Sequence, residues 1–151
     1  MPPRSGEWAD RIKDVEKEYR VAQIASQWLR PKLTADPSAL RTAGLRRRDA
    51  DRFAARLEPT YLIRLYAEFE AGLREVWREW FRRSTFPPME VLIERIGAVR
   101  EISPDVLAAV HEVRAYRNDL VHDVRGGAPP VPIDQARSHL CSYFGWLPLD
   151  W

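Results

Sequence analysis

The sequence predicts an all-α protein, an antiparallel bundle of four to five helices forming a single domain over 1–151, and three observations carry that prediction. Large apolar residues recur at three- and four-residue spacing in long runs, the period of one helix face. No stretch alternates apolar and polar residues over a useful length, so strands are not expected. The joints between the runs are short, which favours antiparallel neighbours. A chain of 151 residues fits one hydrophobic core and not two. No internal repeat or low-complexity tract breaks it up.

The first helix is predicted over Glu7 to Arg30, where Trp8, Ile12, Val15 and Tyr19 form an apolar row that Ile24, Trp28 and Leu29 continue with a slight drift. Pro31 is expected to stop it, because proline lacks an amide hydrogen and disfavours helix in the residue before it. From Lys32 to Leu57 the pattern is least regular, with Pro37, Gly44 and the basic run Arg46, Arg47 and Arg48. Only a short helix near Asp49–Leu57 is expected there, within a partly mobile connection.

The strongest periodicity follows Pro59: Leu62, Leu65, Tyr66, Phe69, Leu73, Val76, Trp77, Trp80 and Phe81 make one unbroken stripe, the central helix. Glu70–Arg74 and Glu79–Arg83 stand at i,i+4 with the acid first, the favourable order on a solvated face. Phe86-Pro87-Pro88 is expected to end this helix, and Val91, Leu92 and Ile96 mark a short one closing near Gly97. Ser103-Pro104-Asp105 reads as a helix start, with an N-cap, a first-turn proline and an acid at the positive end of the dipole. That helix should run to about Asp123. Gly126-Gly127 with Pro129, Pro130 and Pro132 makes a turn, and a last helix over Ile133–Trp146 is closed by Gly145 and Pro148.

Composition narrows the function classes. The hydrophobic fraction of 45% and charged fraction of 30% are those of a globular chain, not of a disordered or membrane one. No window approaches about 18 uninterrupted apolar residues, and Met1-Pro2-Pro3-Arg4 lacks the apolar stretch of a signal peptide, so a cytoplasmic protein with no membrane partner is expected. Cys141 is the only cysteine. It has no partner for a disulfide or a metal cage and reads as a small apolar helix residue. No cofactor is expected, nor a metal, since no carboxylate cluster has ligand spacing. The net charge of +2 announces no nucleic-acid binder by bulk electrostatics. Yet 21 of the 24 basic residues are arginines, the side chain that grips phosphate in bidentate fashion. A codon bias toward arginine explains that richness at least as well.

Chemistry concentrates on the helix from Asp105 to Asp123. Its apolar stripe of Val106, Val110, Val113, Leu120 and Val121 should have a member at position 117, where the sequence has arginine. A guanidinium on a buried stripe is costly unless it is paired or lines a wet cleft. Beside it runs a second stripe, His111, Ala115, Asn118 and His122, on which Asn118 and His122 are one turn apart. Arg117, Asn118 and His122 are therefore the candidate site residues. Histidine moves protons near neutral pH, arginine stabilises charge growing on a pentacoordinate phosphate, and asparagine orients a hydroxyl or the imidazole. In RNA the 2′-hydroxyl is itself a nucleophile, so this set suffices for strand cleavage without a metal. As a bare pattern, arginine followed five residues later by histidine arises by chance in about 0.4 of such sequences. Its place distinguishes it: the pair breaks an apolar stripe at the end of the penultimate helix.

The run Tyr116-Arg117-Asn118-Asp119-Leu120-Val121-His122 resembles the Arg-Asn-x3-His signature of the HEPN superfamily (higher eukaryotes and prokaryotes nucleotide-binding), helical bundles of which many are RNases. The segment from Tyr61 to Glu70 is similar to the aromatic and acidic central helix of some prokaryotic members. Together these cover roughly Glu58 to Ser142, whereas Met1–Leu57 matches only in being helical. The resemblance implies an HEPN-like bundle acting as a metal-independent endoribonuclease on an RNA substrate. It implies a homodimer whose two motifs share one cleft, and a role as a toxin or phage-defence effector with a cognate antitoxin or regulatory protein. By position, Arg117 would stabilise the phosphate, Asn118 would be the polar residue after it, and His122 would transfer protons. Some toxin branches carry a tyrosine two residues after the histidine, where this chain has Val124, so that branch's regulation does not carry over.

Plainer roles compete at each position. His122 could serve as a cap at the negative end of the helix dipole. Arg117 would be satisfied by an acid on the central helix, Glu68 or Glu70. Asn118 could be an exposed polar residue, and His111, which the signature omits, is expected to be an ordinary surface histidine. Arg46–Arg48 reads as a solvated face that would track phosphates only if it borders the cleft. The six tryptophans are expected mostly in the core or an interface. The alternative for the whole chain is a non-catalytic helical nucleotide-binding or protein-interaction module.

Overall fold

A computed structural model describes residues 4–122 and 127–148. These residues form five α-helices and one 3-10 turn, with no strand among them. The helices are α1 (Ser5–Ala35), α2 (Arg47–Phe81), α3 (Met89–Val99), α4 (Pro104–His122) and α5 (Ile133–Gly145), with the 3-10 turn at Arg41–Ala43. The all-α bundle follows from the apolar stripes: Leu62, Leu65, Tyr66, Phe69, Leu73, Val76 and Trp77 of α2 are all buried. The other helices close around that row.

Paired residues give the directions. Glu18 meets Arg64, Arg11 meets Glu68, and Trp8 meets Gly72, so α1 and α2 run antiparallel. α5 is antiparallel to α1, with Arg137 on Glu16 and the Cys141 thiol on the carbonyl of Ala9. Gly72 is where three helices cross, since a Cβ there would lie 2.6 Å from Phe144 Cζ and 3.0 Å from the Trp8 ring. Glu16 is 93% buried from water yet satisfied by two arginines, Arg20 and Arg137, each at 3.0 Å. A buried carboxylate is tolerated only with such partners.

Several expected boundaries are wrong. α1 continues through Pro31 to Ala35, and α2 begins at Arg47 and continues through Pro59, so the irregular connection shrinks to 36–46. The prolines deprive the carbonyls of Gln27 and Ala55 of their helical donors. Both residues line one open cavity of about 500 Å³ between α1, α2 and Tyr116, where water can take the donors' place. Arg46–Arg48 thus open a long helix, with the Arg46 amide donating to the Asp49 carboxylate at 2.8 Å. α2 ends at Phe81, before Phe86-Pro87-Pro88, because Arg82 is left-handed with φ 52° and the Trp77 indole donates to the Thr85 carbonyl at 3.1 Å. Arg83 is then off the helix; Glu79 faces Arg78 at 3.8 Å instead. Gly145 is the last helical residue of α5 and not a left-handed cap, and Trp146 follows in helical conformation. The expected turn residue Gly126 and helix end Asp123 lie outside the described residues.

The far half of α1 and the near half of α2 form an arm with little core. Between Tyr19 and Leu57 the only buried residue is Leu33. The drifting continuation of the first stripe therefore points outward: Ile24 is exposed and Trp28 is 72% exposed, so Trp28 is not a core residue of the chain. Trp8 and Trp77 do lie in the core.

Candidate functional site

α4 starts where Pro104 takes the first helical position and the Leu107 amide donates to the Ser103 carbonyl. Val110 and Val113 are fully buried, and Tyr116 and Leu120 pack partly buried against the same core. Arg117 completes this stripe as a side chain 26% exposed. Its guanidinium carbon lies 5.4 Å from the centroid of the Tyr66 ring, a cation–π arrangement, and Nη2 is 3.9 Å from Glu70 Oε2. Glu70 also accepts from Arg74, so one carboxylate serves two cations. Of the two expected partners, Glu70 is the one used; Glu68 faces Arg11 at 3.9 Å.

Arg117 Nη1 donates to Asn118 Oδ1 at 3.1 Å. Arg117 Nε is buried with no acceptor among the described residues, as is the Tyr66 hydroxyl beneath it. Burial pushes the Tyr66 phenol far above its ordinary range; Arg114 and Arg117 pull against that shift, and Glu70 adds to it. The phenol thus stays neutral under the guanidinium. His122 is the last residue of α4, exposed, and forms no hydrogen bond or ion pair with a described residue. The structure therefore brings Arg117 and Asn118 into contact and sets His122 one turn beyond, exposed in the last turn of α4.

His111 is not part of that group, and it is not an idle surface residue. Its Nε2 lies 2.6 Å from Glu94, while Nδ1 accepts from Arg114 Nε at 3.3 Å. Arg114 also reaches Glu90 at 3.2 Å, so the cluster ties α4 to α3. Accepting at Nδ1 puts the imidazole proton on Nε2, facing the carboxylate.

Three residues that sequence reasoning passed over shape the site. Tyr66 is its floor; the apolar stripe announced it only as core. Asp119 accepts the backbone amide of Ala128, and a Cβ on Gly127 would stand 1.9 Å from Asp119 Oδ2. Residues 127 and 128 are thereby tied back beside Asn118, and a side chain at 127 would have to displace the Asp119 carboxylate. Glu58 accepts the amide of Ile133 at 2.9 Å, closing the start of α5 from a helix 75 positions earlier. A Gly-Gly pair signalled the turn, but no local pattern signals a carboxylate that caps a distant helix.

Among the described residues, no group of three or more His, Cys, Asp or Glu side chains converges as a metal would need. No helix of the described residues is long and apolar enough to cross a membrane. Comparison with family models, with curated proteins and with solved structures returns no match for this chain.

Proposed function

We propose that the exposed end of α4 is the active site of a metal-independent, HEPN-like endoribonuclease, with Arg117, Asn118 and His122 acting on the RNA phosphodiester. The observation that carries the reading is the contrast along one helix. Arg117 is held in place by Tyr66, Glu70 and Asn118, while His122 one turn from Asn118 is exposed and forms no hydrogen bond or ion pair with a described residue. A fixed cation beside an exposed imidazole suits phosphoryl transfer: charge stabilisation needs a preorganised donor, and proton transfer needs an accessible base.

In the reaction, His122 takes the 2′-hydroxyl proton as the 2′-oxygen attacks the adjacent phosphorus. The bond from phosphorus to the 5′-oxygen breaks, leaving a 2′,3′-cyclic phosphate and a 5′-hydroxyl. The leaving oxygen takes its proton from a second imidazolium, contributed by a second copy of the chain facing the first. The homodimer belongs to this proposal, and a monomer at micromolar concentration in sedimentation would remove it.

The test is His122→Ala, which removes no hydrogen bond or ion pair among the described residues. RNA cleavage, or toxicity on expression, should fall by about 10²–10⁴-fold with the helical spectrum intact. Wild-type cleavage by both His122→Ala and Arg117→Ala would overturn the proposal. The Glu70 and Tyr66 contacts favour a second reading, in which Arg117 is a structural cation in a non-catalytic module. That reading expects Arg117→Ala to lower the melting temperature while His122→Ala changes nothing.

A further inference from the structure

Charge is divided unevenly along this chain. Residues 20–56 carry nine basic side chains against Asp36, Asp49 and Asp51, a balance of +6. The whole chain is +2, so the rest carries −4. In the body most cations are matched: Arg11, Lys13, Lys17, Arg64, Arg74, Arg78, Arg114, Arg117 and Arg137 each face a carboxylate, and Arg95 and Arg100 lie over the Trp77 and Trp80 rings, while Arg82 and Arg83 past the end of α2 face neither among the described residues. In the arm only Arg20 faces a carboxylate. Arg48, Arg52 and Arg56 form no ion pair with a described residue, although unmatched like charges repel.

Their spacing puts these three on one row of α2, about 6 Å apart along the axis. The same row, stepping by threes and fours, continues through Pro59, Ile63, Tyr66 and Glu70. In the body that row is covered by α4, where Tyr66 and Glu70 receive Arg117. Tyr116 lines a cavity with Glu58 and Pro59, so α4 descends α2 toward lower numbers and its end at His122 is directed at the arm. All three arginines are exposed, as is Phe53, which follows Arg52 and stands three positions before Arg56. Evenly spaced unpaired cations with an exposed aromatic ring match a single nucleic-acid strand, whose phosphates need charge and whose bases need a face to stack on.

We infer that Arg48, Arg52 and Arg56 form a track for the phosphates of single-stranded RNA, with Phe53 as a base-stacking platform, leading the strand to the end of α4. The direction of the strand rests on the RNA-cleavage reading of that end. Binding to the arm does not.

The test uses His122→Ala protein, so that RNA stays intact, and a fluorescein-labelled single-stranded RNA oligonucleotide read by anisotropy across a salt series. Replacing Arg48, Arg52 and Arg56 with Gln should weaken binding and flatten the slope of log affinity against log salt by about two, near 0.7 per lost phosphate contact on a single strand. Replacing Lys13, Lys17 and Arg78 with Gln removes the same charge from the matched body and should leave the slope in place. Phe53→Ala should weaken single-strand binding by about fivefold or more and leave duplex binding unchanged. A wild-type slope in the arm variant overturns the track, as does an equal loss in the body control; the row would then face an acidic protein surface. Cleavage is read separately in the chain with His122 present. Binding that depends on the arm in a protein that never cleaves upholds the track and defeats the catalytic reading alone.

Discussion

At the scale of single residues, the clearest dependence in the molecule is between Asp119 and Gly127. The Asp119 carboxylate occupies the space a side chain at 127 would need and holds the Ala128 amide. Gly127→Ala must displace that carboxylate, at a cost of about 1–3 kcal/mol from steric strain and the lost hydrogen bond. Thermal unfolding measures it. Combined with Asp119→Ala, the loss should be well below the sum of the two single effects, because the methyl then has room. Strict additivity would show that the two residues do not meet. Legibility at this scale was uneven. Arg117 was visible because a cation at a stripe position is a violation that needs a partner, and Glu70 was one of two acids within helical reach. Asp119 and Glu58 were not visible, since each serves a backbone amide that only the tertiary fold delivers.

At the scale of elements, the helices themselves were legible where burial was continuous and their ends were not. The stripe from Leu62 to Trp77 is buried throughout, so periodicity alone located α2. Pro31 and Pro59 misled because a proline rules out one hydrogen bond, not a helix, when the orphaned carbonyl has water beside it. Residues 32–57 looked irregular for a related reason: a hairpin arm with Leu33 as its main anchor has little apolar pattern to show. That poverty of core predicts dynamics. Amides of 24–34 and 47–56 should exchange with solvent by local opening, orders of magnitude faster than those of 65–77. Hydrogen exchange followed by mass spectrometry gives the comparison, and uniform protection along α2 would mean that arm and body unfold as one unit.

For the whole molecule, the buried phenols govern behaviour at alkaline pH. Burial raises both Tyr66 and Tyr143 above the ordinary tyrosine range, and the Tyr143 hydroxyl donates to the Ile93 carbonyl at 2.8 Å. The native state keeps these protons after the unfolded chain has released them. Their contribution is therefore complete below about pH 10 and is lost as pH rises beyond it, by up to about 1.4 kcal/mol per pH unit for each phenol. Urea unfolding at pH 9, 10 and 11 should show this decline, to which the raised Tyr19, Tyr116 and Cys141 also contribute, and Tyr66→Phe should make it shallower. A flat profile would mean that the phenols ionise freely in the folded protein. The bundle as an assembly was the part of the molecule most open to sequence reasoning, because it needs only the count of apolar faces and the shortness of joints.

The two prolines have a mechanical consequence at this largest scale. With Glu18 against Arg64 and Tyr19 against Tyr61, the antiparallel register sets Gln27 abreast of Ala55. Both helices of the arm therefore lack a rung at the same height, on either side of one cavity. A beam notched on both sides at one level bends there first. The arginine row of α2 lies beyond the notch, except for Arg56 at its edge, while Tyr66 and Glu70 lie on the near side. Bending either helix at that level breaks the fewest helical hydrogen bonds, so the two prolines set the weakest cross-section of the molecule between the arginine row and the helices of the body.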